Sequence, residues 1–411
     1  MNRSKKNILL IIPNLDFGGA QNSFYALSQE LSKTHNVINV VFNKHNMANY
    51  IFKSTLLELD LGNASTFISK IFSFLKRTSR LKKIKKEHNI DVAISFLEGA
   101  DYINILSKKK EKLILSIRGS KLNDPNISGV MGWFRIQFLI PFLYKIADNI
   151  VTVNKDIKEE IKSLVKINDD DIQVIHNHYN HKDILEKYNQ PINQEILDIP
   201  IYKTTIFTHC RLTHEKGLNH LISVFKEAKK EKNELSLIIV GDGADKQQLI
   251  DLCKSYNLIT YTKESVNNQS KFPYDVVFLG YQDNPLQFLK LATIFTLTSL
   301  TEGFPNSLAE AIGCGKLCLS TDCSSGVREI LSHKDKKLPE IITKRTDSDY
   351  GIILPLFETK NNEKNIKIWS KTIINALDNQ ELIKHYEASA LKRISTFSKE
   401  EAMKKWNNLI N

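Results

Sequence analysis

Two glutamates in the segment TEGFPNSLAE, Glu302 and Glu310, are the residues of this chain best placed to do chemistry. An apolar run before the segment predicts a strand, and a helical pattern begins near Asn306. Glu302 therefore lies in a loop and Glu310 lies one turn into a helix. The first backbone N–H groups of a helix have no partner inside it, so the loop offers a site for phosphate or sugar oxygens. Two carboxylates so placed can hold two hydroxyl-bearing parts of one long ligand.

Glu310 also has a purely structural interpretation. Ser307 and Glu310 have the spacing of a capping box, in which side chains bond to backbone N–H groups and stabilise the helix start by about 1 kcal/mol. Glu302 has no such structural role available. A ligand contact and a helix cap both remain open for Glu310.

The elements that position these residues follow a repeated pattern. Continuous apolar runs alternate with helical stripes along the whole chain, which predicts parallel sheets covered by helices on both faces. Strands are predicted at 8–12, 37–42, 92–95, 113–117 and 150–153 in the first half. Those of the second half are predicted at 204–208, 235–240, 275–279, 294–298, 317–320 and 351–354.

The division into domains follows from a polar stretch at about 175–203 that contains Pro191 and Pro200. We expect one domain at 1–185 and another at 200–394, with a terminal helix at about 395–411 that can pack back on the first. The fold class is α/β, with two Rossmann-like, doubly wound parallel-sheet domains facing a central cleft. Ligands bind such sheets beyond the carboxyl ends of the strands. With 42% apolar and 25% charged residues, wholesale disorder is excluded.

Three motifs follow predicted strands: GGA at 18–20, RLTHEKG at 211–217 and EGFPNSLAEAIGCGK at 302–316, which contains E-x7-E. Together they make the chain resemble the retaining GT-B glycosyltransferases of family 4, and the resemblance covers nearly the whole chain. It implies transfer of a sugar from a nucleotide diphosphate, UDP in the leading interpretation, with the configuration at the anomeric carbon retained.

The resemblance also implies roles for individual side chains. Arg211 and Lys216 would bind the donor diphosphate, where two cations can neutralise the charge that grows on a leaving group. Glu302 would contact hydroxyls of the transferred sugar, which completes the expected catalytic set. Glu310 would bind the ribose hydroxyls, a role compatible with a helix cap. The alternative for the two cations is an ordinary pair of surface-loop residues.

Further donor-binding positions are implied in the same way. The backbone of Gly18 and Gly19 would approach the diphosphate, although a tight turn also explains this pair. The positions expected around the sugar, phosphate and base are Gly303, Phe304, Pro305, Asn306, Ser307 and Tyr281. Many relatives carry a histidine where this chain has Arg118. Either Arg118 replaces that contact or the alignment is shifted by one turn, which leaves the donor sugar open.

No cofactor and no metal are expected. In this family the donor's own phosphate oxygen is thought to take the acceptor proton, so the resemblance implies neither a side-chain base nor a metal ion. The spacing of Cys314, Cys318 and Cys323 resembles a metal site, but Cys318 lies in a predicted strand and no His stands at ligand spacing nearby, so we interpret the three as small buried residues. An odd total of five cysteines predicts a reducing compartment.

The net charge of +11, from 57 basic and 46 acidic residues, is unevenly distributed. Residues 1–150 hold 22 basic and 11 acidic side chains, so the whole surplus lies there. A predicted amphipathic helix at 67–86 concentrates it. The residues expected to contact a membrane or acceptor are Lys76, Arg77, Arg80, Lys82, Lys83, Lys85 and Lys86. Such a helix can lie on an anionic bilayer, each cation adding about 1 kcal/mol, or pack on the core with a solvated lysine face.

The leading interpretation is a retaining glycosyltransferase whose acceptor is a lipid-linked oligosaccharide or a surface polysaccharide or lipopolysaccharide. The expected location is the cytoplasm, at the inner face of the cytoplasmic membrane. Nucleic acid is a poorer fit, because no recognised nucleic-acid-binding module accompanies the charge. The alternatives are a GT-B sugar-nucleotide epimerase and a catalytically silent subunit that binds a nucleotide sugar and activates a partner.

Overall fold

A computed structural model describes residues 5–16, 18–44, 50–59, 66–122, 129–263, 272–333, 335–357 and 362–411. The side chains of Phe67 and Ile68, part of the predicted amphipathic pattern, lie outside that description. The chain divides into two compact units, Met1–Asn177 with Glu400–Asn411, and His178–Lys399. Each unit is built around one sheet with a buried apolar core.

The first unit contains an all-parallel sheet. Its described strands are β1 (Asn7–Ile12), β2 (Asn36–Val41), β3 (Thr55–Glu58), β4 (Val92–Phe96), β5 (Lys112–Ile117), β6 (Asn149–Thr152) and β7 (Ile172–Val174). They lie in the order β3-β2-β1-β4-β5-β6-β7. The chain therefore moves outward in one direction from β1 and in the other from β4, which makes the β1–β4 boundary the switch point where such sheets bind ligands.

Helices cover this sheet. They are α1 (Gly19–Leu31), α2 (Phe67–Glu87), α3 (Glu98–Leu106), α4 (Gly129–Phe134), α5 (Ile140–Leu143), α6 (Lys155–Val165) and, from the end of the chain, α15 (Lys399–Ile410). A π-helical turn at Arg135–Leu139 joins α4 to α5, and 3-10 turns lie at Tyr144–Ile146 and Asp169–Asp171. Trp406, Leu409 and Ile410 of α15 join the same buried cluster as Ile8 and Phe24.

The second unit has a sheet of the same kind. Its described strands are β8 (Thr205–His209), β9 (Ser236–Val240), β10 (Thr260–Tyr261), β11 (Val276–Gly280), β12 (Ile294–Leu297), β13 (Cys318–Thr321), β14 (Thr346–Asp347) and β15 (Ile352–Leu354). The order is β10-β11-β9-β8-β12-β13-β15-β14, with its switch point between β8 and β12. β14 runs antiparallel to β15, whereas the other pairings are parallel.

The helices of the second unit are α7 (His181–Asn189), α8 (Gln194–Leu197), α9 (Leu218–Lys229), α10 (Lys246–Ser255), α11 (Asn306–Gly313), α12 (Ser325–Leu331), α13 (Asn362–Asp378) and α14 (Gln380–Ile394). Short 3-10 turns lie at His214–Lys216, Pro285–Leu291 and Ser395–Phe397. Helix α7 belongs here because the His181 ring bonds to the carbonyl of Gly313 (Nε2 to O, 3.0 Å). The boundary therefore falls after Asn177, earlier than the expected residue 185.

The prediction of two doubly wound α/β domains is confirmed. Every strand predicted from an apolar run lies within one residue of an observed strand at both ends. The prediction missed β3, β7, β10 and β14, which are the edge strands of the two sheets. They are short and carry half-exposed side chains, so no continuous apolar run marks them.

The assignment of Lys85 to a membrane-facing surface is wrong. Lys85 lies on the side of α2 that packs against α3, where its Nζ is 2.7 Å from Glu111 Oε1 and donates to the carbonyl of Asn104 at 3.0 Å. Both side chains of the ion pair are almost fully buried. Burial outweighs the attraction of Glu111 and lowers the pKa of Lys85 to about 8. Lys85 is a core residue of the first unit.

Replacing Lys85 with Met tests this placement. Lys85→Met leaves the Glu111 charge buried without its partner, and we expect the free energy of unfolding to fall by about 3–5 kcal/mol. The matched control is Lys83→Met, because Lys83 makes only an exposed ion pair with Glu87 (3.6 Å) and its loss should change stability by less than about 1 kcal/mol. Urea denaturation measures both, and equal midpoints for the two variants would contradict the buried placement.

Candidate active site

The loops that follow β8 and β12 lie side by side at the carboxyl edge of the second sheet, because these two strands are neighbours. Gly217, in the loop after β8, has a φ of 61°, and a Cβ at this position would overlap the carbonyl oxygen of Thr298. Only glycine permits this contact. The close packing fixes Lys216 beside the loop that carries Glu302.

Lys216 and Glu302 form a direct ion pair in this loop. Lys216 Nζ donates to Glu302 Oε1 at 2.7 Å, and the Ser299 hydroxyl donates to the same oxygen at 2.7 Å. Both charged side chains are largely buried. Burial lowers the pKa of Lys216, but the charge and hydrogen bond of Glu302 outweigh it and raise that pKa above its ordinary value. The pair therefore holds a charged lysine at the switch point.

Arg211 and Tyr281 are more exposed than this pair. The Arg211 side chain is 60% exposed, and its Nη2 lies 3.4 Å from Glu215 Oε1. Tyr281 directly follows β11, two strands away from β8, and is also exposed. Both residues lie at the carboxyl edge of the sheet, where a long ligand can reach them.

Of the two interpretations open for Glu310, the capping box with Ser307 is wrong. Helix α11 begins at Asn306 with Pro305 as its N-cap, and no side chain caps it. Ser307 is therefore already inside the helix, too late to act as the cap. No side chain bonds to the first backbone N–H groups of α11, so Glu310 does not stabilise the start of this helix.

The other positions expected around the donor, from Gly303 to Ser307, are held in place by contacts with neighbouring residues. Phe304 is buried against the ring of Phe397 (5.2 Å between centroids), so only its backbone can face a ligand. Asn306 Oδ1 accepts a hydrogen bond from the Tyr179 hydroxyl at 2.6 Å. Gly326 of α12 lies so close to Gly303 that a Cβ there would overlap the Gly303 carbonyl oxygen. The segment from Gly303 to Ser307 is thus held by its neighbours with its backbone in a fixed position.

Glu310 faces a histidine that the sequence analysis did not single out. His209, the last residue of β8, is buried, and its Nε2 lies 3.8 Å from Glu310 Oε2. Burial lowers the pKa of His209 to about 4, opposed by a hydrogen bond with the backbone of Ser307. Burial also raises the pKa of Glu310 to about 7, opposed by the charge of Lys187. A polar ring at the carboxyl end of a predicted strand was the sequence signal for His209.

In the first unit, the predicted positions lie at the carboxyl edge of the sheet. Gly18 is the N-cap of α1, which Gly19 begins, directly after the loop from β1. Arg118 follows β5, stacks over the ring of Phe96 (5.1 Å) and donates from Nη1 to Asn177 Oδ1 at 3.2 Å. The Arg118 side chain is therefore already oriented by this unit.

A charged network that the sequence did not reveal lies at the same edge. Glu98 accepts hydrogen bonds from the guanidinium of Arg135, and Lys121 Nζ lies 3.3 Å from Glu98 Oε2. Burial raises the pKa of Glu98, but Arg135 and Lys121 together bring it below its ordinary value. Leu97, just before Glu98, has a φ of 70°, which is unusual for a residue with a side chain. The network fixes the loop after β4.

Two kinds of feature are absent from the described residues. Among them, no group of three or more His, Cys, Asp or Glu side chains could hold a metal ion. Of the helices described here, none is long and apolar enough to cross a membrane.

Comparison with known proteins assigns the family. The model of glycosyltransferase family 4 matches residues 17–182, and that of group 1 glycosyl transferases matches residues 189–348. An uncharacterised glycosyltransferase from Methanocaldococcus jannaschii is 30% identical over 364 residues, covering 82% of this chain and 84% of that protein. The chain is a family 4 glycosyltransferase. The resemblance inferred from its motifs is confirmed.

Two further comparisons place this glycosyltransferase among known relatives. The N-acetylgalactosamine-N,N'-diacetylbacillosaminyl-diphospho-undecaprenol 4-alpha-N-acetylgalactosaminyltransferase of Campylobacter jejuni is 26% identical, over 80% of this chain and 79% of that enzyme. The Anabaena protein HepE, solved with UDP and glucose, superposes with a TM-score of 0.70 at 13% identity, covering 98% of both chains. The latter likeness supports the GT-B fold.

The carboxyl group of Glu310 gives the glycosyltransferase a specific pH dependence of stability. Its pKa is about 7 in the folded chain and about 4.5 in an unfolded one, so the folded chain holds the proton more tightly. Stability should therefore fall as the pH rises from about 4.5 through 7, by about 1–3 kcal/mol from this group. Glu310→Gln removes that loss, and we expect it to raise the unfolding midpoint at pH 8 but not at pH 5.

The matched control for this comparison is Glu234→Gln, which alters an exposed carboxylate of the same unit. Thermal unfolding at pH 5 and pH 8 measures wild type and both variants. A Glu310→Gln protein whose stability changes with pH in parallel with wild type would contradict the raised pKa of Glu310.

Proposed function

We propose that this glycosyltransferase transfers a sugar, with retention, from a nucleotide-diphosphate sugar to a lipid-linked oligosaccharide or a surface polysaccharide or lipopolysaccharide acceptor. UDP is the proposed nucleotide. The Lys216–Glu302 pair carries the proposal, because it holds a charged cation and a carboxylate 2.7 Å apart at the switch point of the second sheet. A diphosphate needs the cation, and sugar hydroxyls need the carboxylate.

The proposed reaction uses these groups as electrostatic supports. As the bond between the anomeric carbon and the diphosphate oxygen breaks, negative charge grows on the diphosphate, and Lys216 stabilises it. The side chain of Arg211 is 60% exposed, so it can move to contact the same phosphates. The acceptor hydroxyl forms the new bond on the same face of the sugar, and its proton passes to the departing phosphate oxygen. Since two cations take up the charge, the proposal includes no metal ion.

Glu302 has a second part in this proposal. Once Lys216 turns toward a diphosphate, Glu302 loses its ion-pair partner but keeps the hydrogen bond from Ser299. Its freed oxygen can then accept from a hydroxyl of the transferred sugar. Lys216 therefore exchanges Glu302 for the diphosphate of the donor, and Glu302 exchanges Lys216 for a hydroxyl of the sugar. Contacts at both ends orient the donor for attack.

The proposal for a membrane-linked acceptor rests on the first unit. On α2, the basic residues Lys76, Lys82, Lys83 and Lys86 are exposed. The apolar side chains of Ile71, Phe72 and Leu75 are exposed on the same helix, with Phe72 at 68%. Arg77 and Arg80 partly turn inward, Arg77 over the ring of Phe42 and Arg80 to the carbonyl of Leu59. An exposed apolar strip flanked by lysines is typical of a helix that lies on an anionic bilayer.

A second exposed apolar surface supports the same contact. Residues 129–146 contain no acidic side chain, and their exposed large apolar residues are Val130, Met131, Trp133, Phe134, Phe138, Phe142 and Ile146. Crossovers that move in the same direction across a sheet lie on the same face, so this segment and α2 cover one face of the first sheet. The Campylobacter relative is named for a diphospho-undecaprenol substrate, which agrees with a lipid-linked acceptor at the cytoplasmic leaflet.

The transfer reaction is tested first by a screen of nucleotide sugars for hydrolysis and thermal stabilisation. With the sugar so found, we expect Lys216→Ala to lower kcat/KM by about 100- to 1,000-fold, because the leaving group loses its main stabilising charge. Lys230→Ala, at an exposed lysine of the same unit, is the control. Circular dichroism verifies that both variants fold. Near-normal turnover of Lys216→Ala, or an inverted anomeric carbon in the product by NMR, would contradict the proposed mechanism.

Membrane contact is tested by sedimentation with vesicles that contain anionic lipid. Replacing Lys82, Lys83 and Lys86 by Gln should weaken binding, most of all at low salt, because each lysine adds about 1 kcal/mol near an anionic surface. Phe72→Gln should weaken it at every salt concentration, since burial of an apolar side chain is not screened. The control carries Lys364→Gln, Lys367→Gln and Lys371→Gln, the same loss of charge from exposed positions on α13. Equal affinity of the α2 and α13 variants would refute the α2 contact.

A further inference from the structure

Helix α2 extends past the carboxyl edge of the sheet that it covers. It returns the chain from the end of β3 to the start of β4, so it begins at the carboxyl edge and ends at the amino edge, where the strands start. The Arg77 guanidinium lies 4.8 Å from the centre of the Phe42 ring, and Phe42 directly follows β2. Arg80 Nη1 donates to the carbonyl of Leu59, directly after β3, at 3.2 Å. The turns of α2 before Arg77 therefore lie beyond the ends of these strands.

This part of α2, residues 69–76, is the α2 overhang. A rise of 1.5 Å per residue makes it about 12 Å long. None of its side chains is buried, and the described side chains of α2 become buried only from Leu81 onward. Its large exposed apolar residues are Ile71, Phe72 and Leu75. Packing of an apolar face normally stabilises a helix in a folded protein, so this unpacked face indicates a partner outside the unit.

Helix α4, residues 129–134, extends past the same edge and is the α4 overhang. Arg135, which follows it, donates from Nη2 to Glu98 Oε2 at 2.7 Å, and Glu98 begins α3 just after β4. At the other end of the segment, the Tyr144 hydroxyl donates to Asp101, one turn further along α3 toward the amino edge. The segment thus runs toward the amino edge from Arg135, and α4 lies on the outer side. Its large exposed apolar residues are Val130, Met131, Trp133 and Phe134.

We propose that the two overhangs insert into an anionic bilayer, so that the first unit rests obliquely on the membrane with the carboxyl edge of its sheet lowest. Two separate apolar ends at one edge fit a flat surface. Neither overhang contains an acidic residue, whereas Lys70 and Lys76 lie on the first, which matches anionic lipid. Phe72 and Trp133 are aromatic side chains of the kind that enter the boundary between headgroups and acyl chains.

The inference rests on the proposed function and adds the orientation of its membrane contact. An interfacial helix is buried about 5–10 Å into the boundary between headgroups and acyl chains, and the headgroup layer of each leaflet is about 5–8 Å thick. An overhang of about 12 Å therefore holds the carboxyl edge at the depth of the headgroups. The diphosphate of a lipid-linked acceptor lies at that depth. The orientation brings the edge at which such sheets bind ligands beside the acceptor.

The test uses Trp133 of the full chain as a fluorescent reporter of depth. The other two tryptophans, Trp369 and Trp406, are buried, so bromine in the lipid does not reach them. The vesicles contain phosphatidylglycerol and phosphatidylcholine with brominated acyl chains. We expect the emission of Trp133 to shift to shorter wavelength on binding and to be quenched by bromine. In a Trp133→Phe background, Phe72→Trp should also be quenched. Ile146→Trp is the matched control, at an exposed apolar residue near the amino edge, and should not be quenched.

Sedimentation with the same vesicles gives a second measure of the orientation. Trp133→Gln should weaken binding by about 10- to 100-fold, because the interface loses the apolar area of a buried ring. Ile146→Gln should weaken binding by less than about threefold, since its side chain stays outside the bilayer. Circular dichroism verifies folding. This comparison decides the orientation should a tryptophan variant fail to fold.

The outcomes separate the orientation from the function on which it rests. Equal quenching at positions 133 and 146 means that the unit lies flat on one face of its sheet, so the inference fails and the proposed membrane contact stands. Absence of vesicle binding refutes both, whereas the transfer reaction is judged separately by the screen of nucleotide sugars. A dimer that Trp133→Gln dissociates, together with an unquenched Trp133 on vesicles, means that a second copy covers the overhangs and overturns the inference.

Discussion

The candidate active site depends on backbone segments that touch without side chains between them. Gly217 lies against the carbonyl of Thr298, and Gly326 lies against the carbonyl of Gly303. These contacts join the loop after β8, the loop after β12 and the start of α12 at one edge of the second sheet. Any larger residue at either glycine would separate the loops. The distance between Lys216 and Glu302 is therefore set by the backbone, and the two side chains meet as a consequence.

Two buried lysine–glutamate pairs in this chain have the same N–O distance, but the pKa of the lysine is shifted in opposite directions. Both pairs have N–O distances of 2.7 Å. Burial dominates at Lys85 and lowers its pKa, whereas Glu302 dominates at Lys216 and raises it. The Lys85 pair lies under a helix, where no ligand can replace either partner. The Lys216 pair lies at the carboxyl edge of a sheet, where such sheets bind ligands, so a diphosphate can take the place of Glu302 and keep the charge of Lys216 paired.

The strands that could be predicted from the sequence are those whose two faces are both buried. The central strands appear as apolar runs because both of their faces are covered, and the loops after them could be located for the same reason. Edge strands such as β3 and β14 lack this signal. The direction in which a helix turns is also hidden: Lys85 and Lys86 look alike in sequence, yet one is in the core and the other in solvent. The capping box considered for Glu310 does not form, because α11 begins two residues earlier than a Ser307 cap requires, which moves Ser307 from the cap into the helix.

His209 and Glu310 illustrate why a polar group at the edge of a sheet is hard to find by the rules that find a core. Folding favours apolar or paired side chains in buried positions, and the Nε2 atom of the buried His209 is neither. Their environment holds His209 neutral and disfavours the charged form of Glu310, so both lower the stability of the chain that contains them. The strand β8 tolerates this because the aromatic rings around His209 pack its apolar surface. In the sequence, a histidine that follows an apolar run indicates only the end of a strand. That the ring lies 3.8 Å from the carboxyl group of Glu310 is evident only in the folded chain.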